Sequence, residues 1–320
     1  MIVVGWQYSH LIRKSFVLGL VKTNLLRCFI NRYLQVKRRK SIAEAEQMNL
    51  GISLLPNFLD ISSIESFFNF AQEMAVQTVE LITEPPWCCL AELSPEKRKH
   101  IKDLAKERGL SLTVHSCFSD INIAALNPTI RSACLDIVKS SIAFSAEIGA
   151  KVVTIHPGAF GANGIAFPEK TKIYNFKAVQ ELAAFSAKKK IQLGYENFPI
   201  VPWQLFDESF KPKEIQEFVE RINNNALGIT WDVGHSNTTN IPMEEFFKHF
   251  KNHLVNIHLH DNKGGGEGWL DQHLAVGEGT TPWEKFFDLM STIDYQKALI
   301  LELNSKKKII SSIDYLQRFL

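Results

Sequence analysis

Nine residues of this chain have side chains suited to divalent cations, at spacings that can bring them together: His115, His156, Glu196, Asp232, His235, His258, Asp271, His273 and Glu302. Six of them lie at or near the ends of short apolar runs whose side chains alternate. In 112–115, Leu112 and Val114 oppose Thr113 and His115; in 153–156, Val153 and Ile155 oppose Thr154 and His156. Ile191, Leu193 and Tyr195 oppose Gln192, Gly194 and Glu196, and Leu227, Ile229 and Trp231 oppose Gly228, Thr230 and Asp232. Val255, Ile257 and Leu259 oppose Asn256, His258 and His260, while Leu299, Leu301 and Leu303 oppose Ala298, Ile300 and Glu302. Side chains two apart in a strand share a face, so each run ends in an imidazole or carboxylate pointing away from its aliphatic side. A lone inward histidine is more often a hydrogen-bonded core group than a ligand. Six converging strand ends shift that balance. Acids and imidazoles packed without compensation repel or are costly to desolvate, whereas a divalent cation neutralises carboxylates and accepts neutral imidazole nitrogens. Asp232-Val-Gly-His235 adds a histidine just beyond its strand, and Asp271-Gln-His273 lies in a long loop after His258, placed to fold back over such a mouth.

To gather these ends at one mouth the strands must be parallel and closed. From Met48 onward, strands beginning near Leu50, Thr78, Ser111, Lys151, Ile191, Leu227, Leu254 and Ala298 alternate with amphipathic segments at 61–75, 95–108, 129–149, 174–189, 213–222, 243–251, 282–291 and 308–319. The apolar residues of those segments recur at three- and four-residue intervals, and Ser94-Pro95 and Asn127-Pro128 read as helix starts. Eight β-then-α units between Met48 and Leu320 match a (β/α)8 TIM barrel, whose sites form at the C-terminal ends of the strands. A doubly wound open sheet is the competing fold, but Leu54-Leu55-Pro56-Asn57 is not the glycine-rich turn it would carry after its first strand.

With 320 residues, 45% of them hydrophobic, the chain can bury one large core or two ordinary ones. Five cysteines, Cys28, Cys88, Cys89, Cys117 and Cys134, show no C-x-x-C spacing and fit a reduced, cytoplasmic protein without structural disulfides. Adjacent Cys88 and Cys89 are expected to be inert thiols rather than a redox pair. The net charge of +2 hides an asymmetry: residues 1–47 hold nine Lys/Arg against two Glu, which is +7, leaving −5 for residues 48–320. Arg13, Lys14, Lys22 and Arg27 interrupt every apolar patch of that first segment, so it contains no transmembrane span. A targeting sequence or a basic arm are open readings of this N-terminal extension. Because the barrel pattern is complete without it, the favoured expectation is a fold beginning at Met48, with 1–47 non-native or disordered.

His156-Pro157-Gly158, Glu196-Asn197, Asp232-x-x-His235, His258-Leu-His260-Asp261-Asn262 and Asp271-x-His273-x-x-x-Gly277-Glu278-Gly279 together carry a resemblance over residues 49–305. In them the chain resembles the xylose isomerase-like TIM barrels, a superfamily that includes endonuclease IV (AP endonuclease family 2) and many sugar phosphate isomerases and epimerases. The resemblance to the epimerases implies that Glu196, Asp232, His258 and Glu302 hold one catalytic metal, Mn²⁺, Mg²⁺ or Co²⁺. The resemblance to endonuclease IV implies up to three Zn²⁺, with His115, His156, His235, Asp271 and His273 completing the ligand set. The substrate loops depart from the DNA enzyme. Thr83-Glu84-Pro85-Pro86-Trp87 lacks its Asn/Gln/Arg cluster, and Phe118, within Ser116-Cys117-Phe118-Ser119, replaces its stacking tyrosine.

Two chemistries therefore stand open. In an isomerase or epimerase, the tetrad's metal would chelate a small sugar or sugar phosphate, Glu196 and Glu302 would remove and return a proton, and His235 would steady a substrate oxygen. Phe118, Trp87 and Trp203 would wall the sugar. In a phosphoester hydrolase acting on DNA, Glu196 would bridge metals instead. The net −5 of residues 48–320 provides no general attraction for DNA, and the sugar chemistry is the expected one.

Overall fold

The computed structural model describes residues 49–200, 206–265 and 271–319; the expectations for residues 1–47 and for Trp203 lie outside them. Eight parallel strands close into a barrel: β1 (Asn49–Leu54), β2 (Thr78–Ile82), β3 (Ser111–His115), β4 (Val152–Ile155), β5 (Gln192–Glu196), β6 (Leu227–Asp232), β7 (Leu254–Leu259) and β8 (Ala298–Leu301). Each pairs with the next, and β1 closes on β8 with Gly51 opposite Ile300.

Around them lie α1 (Ile64–Glu73), α2 (Pro95–Glu107), α3 (Pro128–Ile148), α4 (Gly161–Gly164), α5 (Pro168–Lys189), α6 (Asp207–Phe210), α7 (Pro212–Ile222), α8 (Val233–Asn237), α9 (Met243–Phe250), α10 (Trp283–Met290) and α11 (Lys306–Leu316). Local chemistry sets their starts. Ser63 caps α1 in a reciprocal box with Ser66, Ser94 caps α2 ahead of Pro95, and Asn127 caps α3 ahead of Pro128. Helix α5 starts at Pro168, earlier than the expected 174, because Pro168 and Glu169 make a sound first turn. Short α4, α6 and α8 have too few residues for a periodic pattern and were not expected.

The helices cover the outward faces of the strands. Helix α7 buries Ile215, Phe218, Val219 and Ile222, and α10 buries Trp283, Phe286, Phe287 and Met290, within one continuous apolar cluster. The barrel axis is filled differently. Its interior carries Ser53, Thr78, Glu80, Thr113, Thr154, Thr230 and Asn256, all buried, where such barrels usually place branched aliphatics. Thr154 Oγ1 lies 2.9 Å from Thr230 Oγ1, and the Asn256 amide donates to Glu80 Oε2 at 3.0 Å and to Thr154 Oγ1 at 3.3 Å. Gly194 makes room for this network, since a Cβ there would overlap Thr230 Oγ1. A hydrogen-bonded polar column thus leads up the axis to the mouth.

Candidate metal centre

Strand pairing fixes the innermost group. Glu196 ends β5 opposite Thr230, Asp232 ends β6 opposite His258 of β7, and Glu302 follows the last residue of β8. His258 Nδ1 lies 2.8 Å from Glu196 Oε1, 3.4 Å from Glu302 Oε2 and 3.9 Å from Asp232 Oδ2. One donor atom from each of the four falls within 4.8 Å of the others. Asp232 divides its labour. Its Oδ1 caps α8 by accepting from the His235 amide at 2.6 Å, while Oδ2 is buried without a hydrogen-bond partner. A buried carboxylate oxygen left bare beside an imidazole and two further carboxylates is the environment a cation completes.

A second group shares Glu196. Its Oε2 lies 3.3 Å from His115 Nε2 and 3.0 Å from His156 Nε2, on the side away from the oxygen that meets His258. His115 Nδ1 donates to the Ser116 carbonyl at 2.8 Å; a carbonyl only accepts, so Nε2 is the nitrogen that would meet a cation beside Glu196.

The third group forms where α8 meets the loop after β7. His235 Nε2 lies 3.6 Å from Asp271 Oδ2, and His273 Nε2 lies 3.2 Å from Asp271 Oδ1. His260, fully buried, places Nε2 3.1 Å from Asp232 Oδ1 and 3.7 Å from Asp271 Oδ1, and its ring stacks on His273 at 4.0 Å. The loop returns over the mouth as the sequence suggests: Asp261 and Leu274 pair in an antiparallel bridge. The Asp261 carboxylate accepts from the amides of Asn262, Gly277, Gly279 and Thr281 and from the Trp283 indole. The Asp261 and Gly-Glu-Gly parts of the motif therefore shape the loop instead of binding a ligand.

All nine expected site residues thus converge at the C-terminal mouth, in three groups joined through Glu196 and Asp232. Sequence reasoning missed three neighbours. Glu80 of β2 sits behind the tetrad, fully buried, its Oε2 3.3 Å from His258 Nε2; donation from Nε2 to that oxygen leaves Nδ1 as the nitrogen facing the other three ligands. Inward parity with Thr78 was the available signal, overlooked because Glu80 lies mid-strand. His260 was recognised as inward but not as a member of the third group. Phe198, just beyond β5, meets His156 edge-on at 4.9 Å, while Phe118 stacks on it at 5.2 Å, so aromatic rings flank the second group. Glu84 holds Phe118 there by accepting from the amides of Phe118 and Ser119, both at 2.7 Å. Trp87 packs against the core. Among the described residues Cys88, Cys89, Cys117 and Cys134 are free thiols, and burial pushes Cys88 up to about 12, which keeps it protonated and unreactive.

Without a cation, the charges of the site are balanced by protons on its histidines. Burial lowers His258, yet Glu80, Glu302 and Glu196 together raise it well above the ordinary histidine value. Burial is likewise outweighed at His235 by Asp232 and Asp271, at His115 by Glu196, and at His273, which Asp271 lifts to about 9. At His156 burial wins and the value falls. Burial raises Glu196 and Glu302, but His258 holds both below the carboxylate range; His273 and His235 do the same for Asp271. Divalent cations would replace those protons and release them.

The profile of a family described as xylose isomerase-like TIM barrel matches residues 68–319. The chain belongs to that family. Among its relatives is the uncharacterized protein MJ1311 of Methanocaldococcus jannaschii, 27% identical over 82% of this chain and 90% of that protein. Among solved structures, a D-tagatose 3-epimerase-like protein superposes with a TM-score of 0.74 at 26% identity, covering 85% of this chain and 97% of that one. The IolI protein with a bound zinc atom superposes with a TM-score of 0.67 at 13% identity, covering 85% and 95%, which speaks for the fold alone. This xylose isomerase-like barrel has, among its described residues, no helix long and apolar enough to cross a membrane.

Proposed function

We propose that the protein is a metal-dependent sugar or sugar-phosphate isomerase or epimerase, its Mn²⁺, Mg²⁺ or Co²⁺ held by Glu196, Asp232, His258 and Glu302. The observation that carries the reading is the tetrad itself. Three carboxylates and one imidazole converge, fully or nearly buried, on the polar axis of a barrel similar to the D-tagatose 3-epimerase-like protein. When bound, the cation would polarise a substrate carbonyl and stabilise the negative charge of an enediolate. Glu196 and Glu302, 2.8 and 3.4 Å from His258 Nδ1, would remove and return the proton on the carbon beside that carbonyl. His235, its Nδ1 held by the Asn197 carbonyl at 2.8 Å, presents Nε2 to a substrate oxygen or to the third group. Phe118 and Phe198 would exclude water from one side of the sugar.

A second reading, a zinc-dependent phosphoester hydrolase of the endonuclease IV type, is favoured by one observation. Glu196 turns one oxygen to each of two ligand groups, as a carboxylate bridging two metals does. Against it stand the replaced loops at 83–87 and 116–119. Purified protein assayed with Mn²⁺, Mg²⁺, Co²⁺ or Zn²⁺ on a panel of ketoses and sugar phosphates, and on an abasic-site DNA duplex, separates the two. Mn²⁺-stimulated interconversion of a small sugar is expected; chelator-sensitive nicking of the duplex, without sugar turnover, would replace the first reading by the second.

A further inference from the structure

Between α5 and α7 the outer wall of the barrel opens in a groove of about 610 Å³. We infer that this groove is the contact face of a homodimer, in which α5 of each copy lies against α7 of the other. The inference uses no residue of the metal centre and is independent of which chemistry that centre performs.

Helical period builds the face. Lys172, Ile173, Phe176 and Lys177 follow Glu169 at three- and four-residue intervals along the first turns of α5, so they share the side towards α7. From α7 come Glu214, Glu217, Phe218 and Arg221. The floor is aromatic. Phe176 meets Phe218 edge-on at 5.9 Å, and the Arg221 guanidinium lies over the Phe176 ring at 4.5 Å. Apolar surface continues past the floor: Ile173 at the groove, and Ile165 and Phe167 just before α5, are each roughly half exposed. Helix α3, joined to α5 by Arg131 over the Tyr174 ring at 3.8 Å, adds exposed Ile130 and Ile137. Single exposed aliphatics are ordinary on a protein surface, but a run of them along neighbouring helices marks a face that is covered in use.

Charge selects the occupant. Lys172 and Lys177 line the α5 side, and Glu214 and Glu217 line the α7 side. Glu169 stands a turn ahead of that stretch, and Arg221 is taken up by the floor. Among the described residues Lys172, Lys177 and Glu214 form no ion pair. Glu217 meets Lys213 of its own helix at 3.6 Å, with both side chains mostly exposed. A partner must therefore bring acids opposite α5 and bases opposite α7, at the spacing of two neighbouring helices. The chain itself carries that pattern. A two-fold axis lying in the contact plane along the groove sets each α5 opposite the α7 of the other copy and keeps every residue at its own level. The contact of Arg221 with Phe176 shows that the two charged stretches run side by side, so the lysines of one copy would face the glutamates of the other. An axis across the groove would set lysines on lysines instead. Ile173 of each copy would seat against the aromatic floor of the other, giving an apolar centre inside a charged rim.

The test uses the full chain and charge reversal. Sedimentation velocity over the micromolar range should show a reversible monomer–dimer equilibrium in wild type. Ile173→Asp, at an exposed position, should raise the dimer dissociation constant by at least about tenfold, because it puts a charge into the apolar centre. A similar rise is expected for Lys172→Glu with Lys177→Glu, and for Glu214→Lys with Glu217→Lys, which bring like charges face to face. Mixing the two reversed proteins should restore a dimer, now containing one of each, because the two acidic helices of one meet the two basic helices of the other. Recovery on mixing also shows that both reversed proteins are folded. A monomer throughout that range, a dimer indifferent to Ile173→Asp and to both reversals, or reversed proteins that stay monomeric when mixed, overturns the inference.

Discussion

The tetrad and the loop-borne group use the same chemical vocabulary on different supports. Glu196, Asp232 and His258 lie in strands whose pairing sets their spacing, and Glu80 and Asn256 back His258 from within the barrel. Asp271 and His273 hang instead on a connection closed by the Asp261–Leu274 bridge and by hydrogen bonds to the Asp261 carboxylate. Chemistry needs donors held within a fraction of an ångström, which paired strands provide more firmly than a connection does. The same residue types are thus set by strand pairing in one place and by a hydrogen-bonded loop in the other.

Removing one tetrad carboxylate should give the largest effect and break the comparison most sharply. Glu302→Gln takes away both a ligand charge and a proton carrier, so sugar turnover should fall by roughly 10²–10⁴-fold, the range for general acid–base groups. Steady-state kinetics at saturating Mn²⁺ measure it, and a variant within tenfold of wild type would detach Glu302 from the chemistry. Next is Glu80→Gln, which keeps the shape but removes the negative charge behind His258. Metal affinity at the tetrad should drop by about 10–100-fold, read by calorimetric Mn²⁺ titration, with kcat at saturating metal changing less. Equal losses in both would mean that Glu80 acts on substrate. His273→Ala should be milder, leaving appreciable sugar turnover; near-complete loss, matching Glu302→Gln, would favour the multi-metal hydrolase. The smallest effect concerns the metal-free protein. Asp271 raises His273 from 6.5 to about 9, so their pairing contributes stability that is complete below about pH 6.5 and lost as pH rises through about 9. Urea midpoints of metal-free protein should fall between pH 6.5 and 9.5 more in wild type than in His273→Asn. Equal pH dependence would show that the pair contributes nothing.

Most of the frame and the site was legible in the residues. Two-residue alternation located the inward face of β3 to β8, and every expected ligand is found at the mouth, because a closed parallel barrel leaves strand-end residues nowhere else to point. What escaped depends on distances that no pattern carries. Glu80 shares inward parity with Thr78, but its role follows only from the direction of His258 Nε2. His260 continues the parity of His258 beyond the end of β7, where Gly234 lets it lean towards the loop. His273 reads as remote in the chain, yet its ring donates to the Glu302 carbonyl, directly beside the tetrad. The start of α5 was placed late because Tyr174 opens its regular apolar pattern while Pro168 opens its backbone.

Solvent exchange at the carbon beside the carbonyl tests the central claim most directly. Purified protein, stripped and reloaded with Mn²⁺, would be incubated in D₂O with each ketose and sugar phosphate of the panel, and deuterium at that carbon followed by NMR. Chelator-sensitive incorporation into at least one sugar, abolished by Glu302→Gln and retained in His273→Ala, is the expected result. No incorporation into any member of the panel, together with metal-dependent cleavage of abasic-site DNA by the same preparation, would contradict it.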